Sequence, residues 1–292
     1  MYRGKSWRIL LPRNEIRPYR EGELDLARGI DPIYEGMTAI RLAIATKLAI
    51  NDAREKGQTL SQAKLLGFLS AGEKYGKGIV RLFQNFYLTF GAATFMVDSG
   101  APGNPSQYGS NLGYMTTVRT TDNKSLHSLR RKEVASWPGF ESLFGGGLAG
   151  PENGDADFMA QAGIERVTML MKQRVASELG LQEKDLLEVR VLGVVEGEKY
   201  MDHTIAYDVA IDRTSAELLR DKPRLLANPA IAKKYADIFP VDLADPESLI
   251  RHMNEARANT LDVTKGGIVL TGVNMFGSEF VRYLRHFGLI EN

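Results

Sequence analysis

Asp155-Ala156-Asp157-Phe158 opens the stretch that decides the fold, and the stretch runs on to Asp212-Arg213. A helix is predicted from Asp155 to Gly180. Ile164, Val167, Met171 and Val175 recur there at three- and four-residue steps and so line one stripe. Past Gly180 the period becomes two. Leu187, Val189, Val191 and Val195 are expected on one face of a strand, with Glu188, Arg190 and Glu196 opposite. On the return run Ile205, Tyr207, Val209 and Ile211 share a face, and Asp208 and Asp212 point away. Glu196-Gly197-Glu198-Lys199 between the two runs is a hairpin link. A helix stripe and a sheet face bury each other's apolar sides, so this unit is the expected core.

Working outward, 292 residues suit one large or two modest domains. With 25% charged and 43% hydrophobic residues, the composition is that of a folded protein. The 37 basic residues against 36 acidic argue against a wholly basic nucleic-acid packer. Without a cysteine there is no disulfide, thiolate metal site or cysteine nucleophile. Apolar runs fall short of the roughly 20 residues that span a bilayer. Arg13, Glu15 and Arg17 interrupt any signal-peptide region. The expectation is a cytoplasmic protein without a membrane span.

The flanks read mostly as helix. Asp31-Pro32 is the expected cap and first turn of a helix ending near Gly57, with Ile33, Met37, Ile40, Ile44 and Leu48 as its inward stripe. Helices are also expected over 62–69, from Gly78 through Ile79, Phe83, Phe86 and Phe90, and over 124–135. Further helices are expected over 215–226, 230–238 and 247–258, and in a final one striped by Phe276, Phe280, Leu284 and Phe287. Strands are expected at 114–120 and 261–271, the latter bent at Gly266-Gly267. Residues 98–124 have the composition of a long loop. The breaker cluster 138–154 marks an internal boundary between a mainly helical 1–137 and an α+β 155–292 within one globular domain. The fold class that follows is α+β: predominantly helical, with a small antiparallel sheet containing the 186–213 hairpin.

Chemistry-bearing motifs are sparse. Gly72-Glu73-Lys74-Tyr75-Gly76-Lys77-Gly78 has three residues where a phosphate loop needs four, and no following Ser or Thr. Asp155 reads as a helix cap and Asp157 as its dipole partner, in preference to metal ligands. Four scattered histidines form no HExxH pair or triad spacing. No catalytic residue, metal ligand or cofactor is assigned.

The residues assigned to binding are cationic and aromatic: Arg3, Lys5, Trp7, Arg8, Arg13, Arg17 and Arg20 in an N-terminal arm, and Arg130, Arg131 and Lys132. With the Gly/Asn/Ser/Pro loop and an acidic hairpin, they point to a non-catalytic subunit or adaptor that docks protein partners in a larger assembly. Nucleic-acid binding through the same cations is the alternative. A metal-dependent enzyme using Asp155, Asp157 and His203 is a further one.

Overall fold

The structure, a computed structural model, describes residues 3–4, 6–12, 17–33, 35–55, 63–75, 77–99, 110–134, 137–198, 202–254 and 259–290. The deciding stretch forms the expected helix and hairpin. Helix α3 (Ala156–Leu179) leads into the hairpin of β9 (Leu186–Gly197) and β10 (Asp202–Ile211). Asp155 caps α3 by accepting from Phe158 N–H at 2.9 Å. Gly180 ends it at φ 64°, where a β-carbon would be strained.

The remaining strands are β1 (Trp7–Leu11), β2 (Leu24–Arg28), β3 (Lys64–Lys74), β4 (Lys77–Phe86), β5 (Ser110–Arg119), β6 (Lys124–Arg130), β7 (Phe140–Ser142) and β8 (Phe144–Gly147). After the hairpin come β11 (Tyr235–Asp242) and β12 (Asn259–Thr260). All twelve join in one sheet with the main order β1-β9-β10-β5-β3-β4-β2. β8 and β6 branch from β5, β6 carries β11 and β7, and β7 carries β12. The sheet is mixed, since β10 runs parallel to β5, β2 to β4 and β12 to β7. It curls into a half-barrel. The expected helical protein with a small antiparallel sheet is therefore overturned: the sheet is the framework.

Helices cover both faces of that sheet. On one face α3 packs Met159, Val167, Met171 and Val175 against Ile205, Tyr207, Val209 and Ile211 of β10, as their periods predict. The opposite face carries α6 (Pro246–Asn254), α7 (Asp262–Phe276) and α8 (Ser278–His286). Their Leu249, Ile250, Ile268, Val269, Phe280 and Leu284 meet Ile9, Met115, Val195 and Ala206. Each fully buried side chain of this size contributes about 1.5–3 kcal/mol. A third, smaller cluster joins α1 (Gly36–Glu55) to α2 (Tyr87–Asp98) through Ala45, Ala92, Ala93 and Met96. Short helices α4 (Ser215–Leu219) and α5 (Lys222–Ala227) stand where one helix over 215–226 is expected.

Several element assignments are corrected. The described part of 62–69 lies in β3, Ile79–Phe86 lies in β4, 124–130 is β6 and 235–238 lies in β11, all expected as helix. Conversely, 262–271 is helix α7 where a strand is expected. Asp31 does not cap α1: it accepts from Gln84 N–H and pairs with Arg28. In β9 the pairing slips, Ala206 opposing Gly193 and Tyr207 opposing Val191. The bulge sends Val195 to the α7 side while Val191 stays on the α3 side. Gly193 permits it, because a β-carbon there would lie 2.1 Å from the Leu11 carbonyl oxygen.

The stretch 138–154 holds β7 and β8, both paired into the sheet. Gly72–Gly78, apart from Gly76, is the turn region of the β3–β4 hairpin. Gly57 and residues 100–109 of the long loop lie outside the described residues. The end of that loop is β5, as the strand expected at 114–120 requires.

Candidate functional site

Helix α1 turns its large apolar side chains outward. Ala45, Ala49 and Ala53, one turn apart, are the residues it buries. Alanine lets two helix backbones approach closely, and the partner α2 meets Ala45 with Ala92, Ala93 and Met96. The larger side chains face away: Met37 is 63% exposed, Ile40 53%, Ile44 56% and Leu48 46%. These, with the exposed Ile33, are the stripe that periodicity assigns to the core. The periodicity is real, but the helix rests on its alanines instead. Leu69, Phe86 and Tyr87 are also exposed, on β3, β4 and the start of α2. Between α1 and α2 runs an open apolar groove, walled by Ile44, Ala45, Leu48, Phe95 and Met96, with Arg41 at its rim.

The N-terminal cations lie elsewhere and are engaged within the chain. Trp7 is buried beside Ile9 in the α7-side core, because β1 pairs with β9 as an edge strand. Arg8 is bound to Glu196 at 2.5 Å and Arg3 to Glu198 at 3.0 Å. Arg17 pairs with Glu23 at 2.6 Å, and Arg20 is exposed. Lys5 and Arg13 lie outside the described residues. The second basic group divides. Arg130 lines a cleft with its guanidinium 5.7 Å from the Trp137 ring centre, Arg131 is half-buried and Lys132 is exposed. Burial holds the Arg130 pKa below the ordinary arginine value.

That cleft is lined by Arg130, Trp137, Asp202, His203, Tyr235 and Thr264 among others. Its floor includes the glycines of β8, whose register sets Gly147 opposite Gly113 and Gly145 opposite Met115. A β-carbon on Gly145 would lie 2.1 Å from the Tyr114 carbonyl oxygen, so the close approach of β8 to β5 requires glycine. Asp202 Oδ1 is shut off from solvent with no hydrogen-bond partner. Burial, and then the charge of Asp262, pushes its pKa well above the usual carboxylate range. His203 stacks on Phe68 at 3.6 Å between ring centres, and its Nε2 lies 2.8 Å from Glu196. Glu178, at the end of α3, is fully buried, with Arg174 donating at 2.5 Å and Lys234 at 3.1 Å. Burial pushes the Glu178 carboxyl up to about 7 against the opposing pull of Arg174.

Asp155, Asp157 and His203 do not form a metal site. Asp155 is bound to Lys64, Asp157 pairs with Arg28 and His203 with Glu196. Among the described residues, the side chains able to hold an ion together are His127, Glu141 and His252. His127 Nδ1 and His252 Nε2 lie 2.5 and 2.7 Å from the same Glu141 oxygen, Oε1. Thr260 Oγ1 donates to the other oxygen at 3.3 Å. Burial opposes ionisation of Glu141, but the two histidine hydrogen bonds outweigh it and hold the carboxyl at about 2. Burial keeps the His127 pKa below its ordinary value. The sequence carries no local signal for this group, whose members come from β6, β7 and α6.

No family model matches the sequence, and no curated protein matches it. Among solved structures, that of DR0079 from Deinococcus radiodurans is similar at 12% identity over 53% of this chain and 78% of that chain, with a TM-score of 0.34.

Proposed function

We propose that this chain is a non-catalytic subunit of a protein assembly whose partner docks on the outward face of α1. The observation that carries the reading is the row Met37, Ile40, Ile44 and Leu48, left half-exposed or more while the alanines of the same helix are buried. Contiguous exposed apolar side chains of this size mark interaction surfaces, whereas scattered ones do not. Covering the exposed halves of four such side chains contributes several kcal/mol, on the order needed to offset the lost freedom of two molecules.

The α1–α2 groove fits an amphipathic helix that sets apolar residues at helical spacing into it. Arg41 is the one charged residue in the groove lining, so the occupant that fits carries carboxylates along that flank. A single rim ion pair of this kind orients the partner and contributes at most about 1 kcal/mol. The test is native mass measurement on material drawn from its own cells, for the parent and for Ile44→Glu/Leu48→Glu. The parent is expected as a complex of fixed stoichiometry, and the double variant as a monomer melting within two degrees or so of the parent. A complex that survives both substitutions removes the face from the reading. A parent that is strictly monomeric in its own extract removes the reading itself.

A further inference from the structure

We propose that His127, Glu141 and His252 form a binding site for a divalent transition-metal ion, zinc being the ion that fits the donors best. The proposal stands apart from the α1 face. Two imidazole nitrogens and one carboxylate are a recurrent three-ligand set for zinc, with a fourth position left for water or a nearby hydroxyl. Here the three donor atoms lie within 4.8 Å of one another. Carbonyl or carboxylate-rich sets that suit magnesium or calcium are absent from the group, and imidazole favours the later first-row metals.

Three observations separate this group from an ordinary buried hydrogen bond. The first is convergence. Both rings aim at one oxygen of Glu141, although a carboxylate offers two, and they arrive from different elements, β6 and α6. The second is charge. Among the described residues the ion-pair partners of Glu141 are these two histidines alone, with no lysine or arginine. A divalent ion would supply positive charge that a buried carboxylate otherwise takes from imidazole hydrogens.

The third observation is support. Thr260 Oγ1 holds Glu141 Oε2 at 3.3 Å, and the His127 ring lies against Phe239 and edge-on to His252, at 6.1 and 5.1 Å between ring centres. Ligands whose orientation is fixed by neighbours bind metal more tightly.

The geometry needs only a small opening. Metal–ligand bonds of about 2.0–2.2 Å at a tetrahedral angle put donor atoms roughly 3.3–3.5 Å apart. The present 2.5 and 2.7 Å contacts must therefore widen by somewhat less than 1 Å. On binding, the nitrogen of each ring that faces the ion carries no proton, so each ring takes the tautomer protonated at its other nitrogen. His252 is partly exposed and gives the ion its route in.

The experiment uses the full chain without a histidine tag, stripped with chelator and titrated with zinc chloride by calorimetry. One-to-one binding and a raised melting temperature are expected, since the ion would tie α6 to β6 and β7. His252→Ala should weaken binding about tenfold or more, while His286→Ala should leave it unchanged. Cobalt(II) should give the visible absorption bands of a tetrahedral site in the parent and lose them in His252→Ala. The proposal is overturned if the stripped parent binds no zinc at one-to-one stoichiometry, or if His252→Ala binds it as the parent does. Glu141→Gln gives a second check: it keeps an oxygen to accept a hydrogen bond but removes the anionic ligand, so it should stay folded and lose the ion. Loss of folding in Glu141→Gln with zinc binding intact in His252→Ala would instead mark the group as a hydrogen-bonded brace.

Discussion

Asp202 is expected to cost the fold stability at neutral pH. Its Oδ1 is buried without a partner, near Asp262, and its pKa lies well above the usual value. The folded chain therefore keeps this proton to a higher pH than the unfolded chain does. Stability is lost as pH rises from the ordinary carboxylate range through the folded value. Asp202→Asn should remove that loss, leaving the variant more stable than the parent by about 1–3 kcal/mol at pH 8. The gap should close toward pH 4. Denaturant midpoints at three pH values would measure it, and a variant weaker than the parent at pH 8 would mean that Oδ1 has a partner after all. Alternation along β10 predicts that Asp202 and His203 face opposite ways, so the orphan's side of the sheet is legible in sequence. Its neighbour is not, because Asp262 stands 60 positions away. The same limit hides the His127–Glu141–His252 group, whose members are 14 and 111 positions apart.

At the scale of elements, sequence pattern is informative where a single period runs through the element and fails where no period survives. Helix α3 keeps its expected stripe and the β9–β10 hairpin forms where it is expected, but the bulge at Gly193 moves Val195 off the face of Val191, and Leu187 stands exposed. In β6, Ser125, Leu126, His127 and Ser128 are all buried, so no period of two survives. Helix α7 is the converse case. Gly266 and Gly267 read as a turn, yet a β-carbon on Gly266 would lie 2.3 Å from a Val195 methyl and one on Gly267 2.9 Å from Met115. These glycines let α7 lie close on the sheet, and tertiary packing overrides their low helix propensity.

Strand β1 yields two predictions of its own. Trp7, Ile9 and Leu11 are buried core residues, so deleting residues 1–11 should leave an insoluble or molten chain, read by the loss of near-ultraviolet circular dichroism. A truncated chain with a sharp thermal transition would return the segment to the role of a detachable arm. Gly193→Ala should act at the same seam. Its new β-carbon would meet the Leu11 carbonyl, a backbone atom with little room to move, and lower stability by about 1–3 kcal/mol.

For the whole molecule, the sheet divides the work between two faces and leaves a third region over. The α3 and α7 faces are closed by their own helices, with cores on each side. The α1–α2 pair closes only a small alanine-rich cluster and turns its aliphatic row to solvent. A helical reading of β3, β4, β6 and β11 hides this asymmetry, because a mostly helical chain would bury α1 among other helices. The asymmetry also decides how an assembly should respond to salt. If the apolar row holds the partner, raising sodium chloride from about 0.1 M to about 1 M should leave the complex intact. The screening length falls over that range from about 10 Å to about 3 Å, which removes charge steering but not apolar burial. If the N-terminal cations held it instead, affinity would fall steeply with salt, and the ion pairs Arg3–Glu198 and Arg8–Glu196 would have to open for the partner to bind. Sedimentation of the native complex across that salt range separates the two. Retention in the parent together with loss in Ile44→Glu/Leu48→Glu is the outcome expected, and dissociation of the parent at high salt would move the interface to the charged edge of β1.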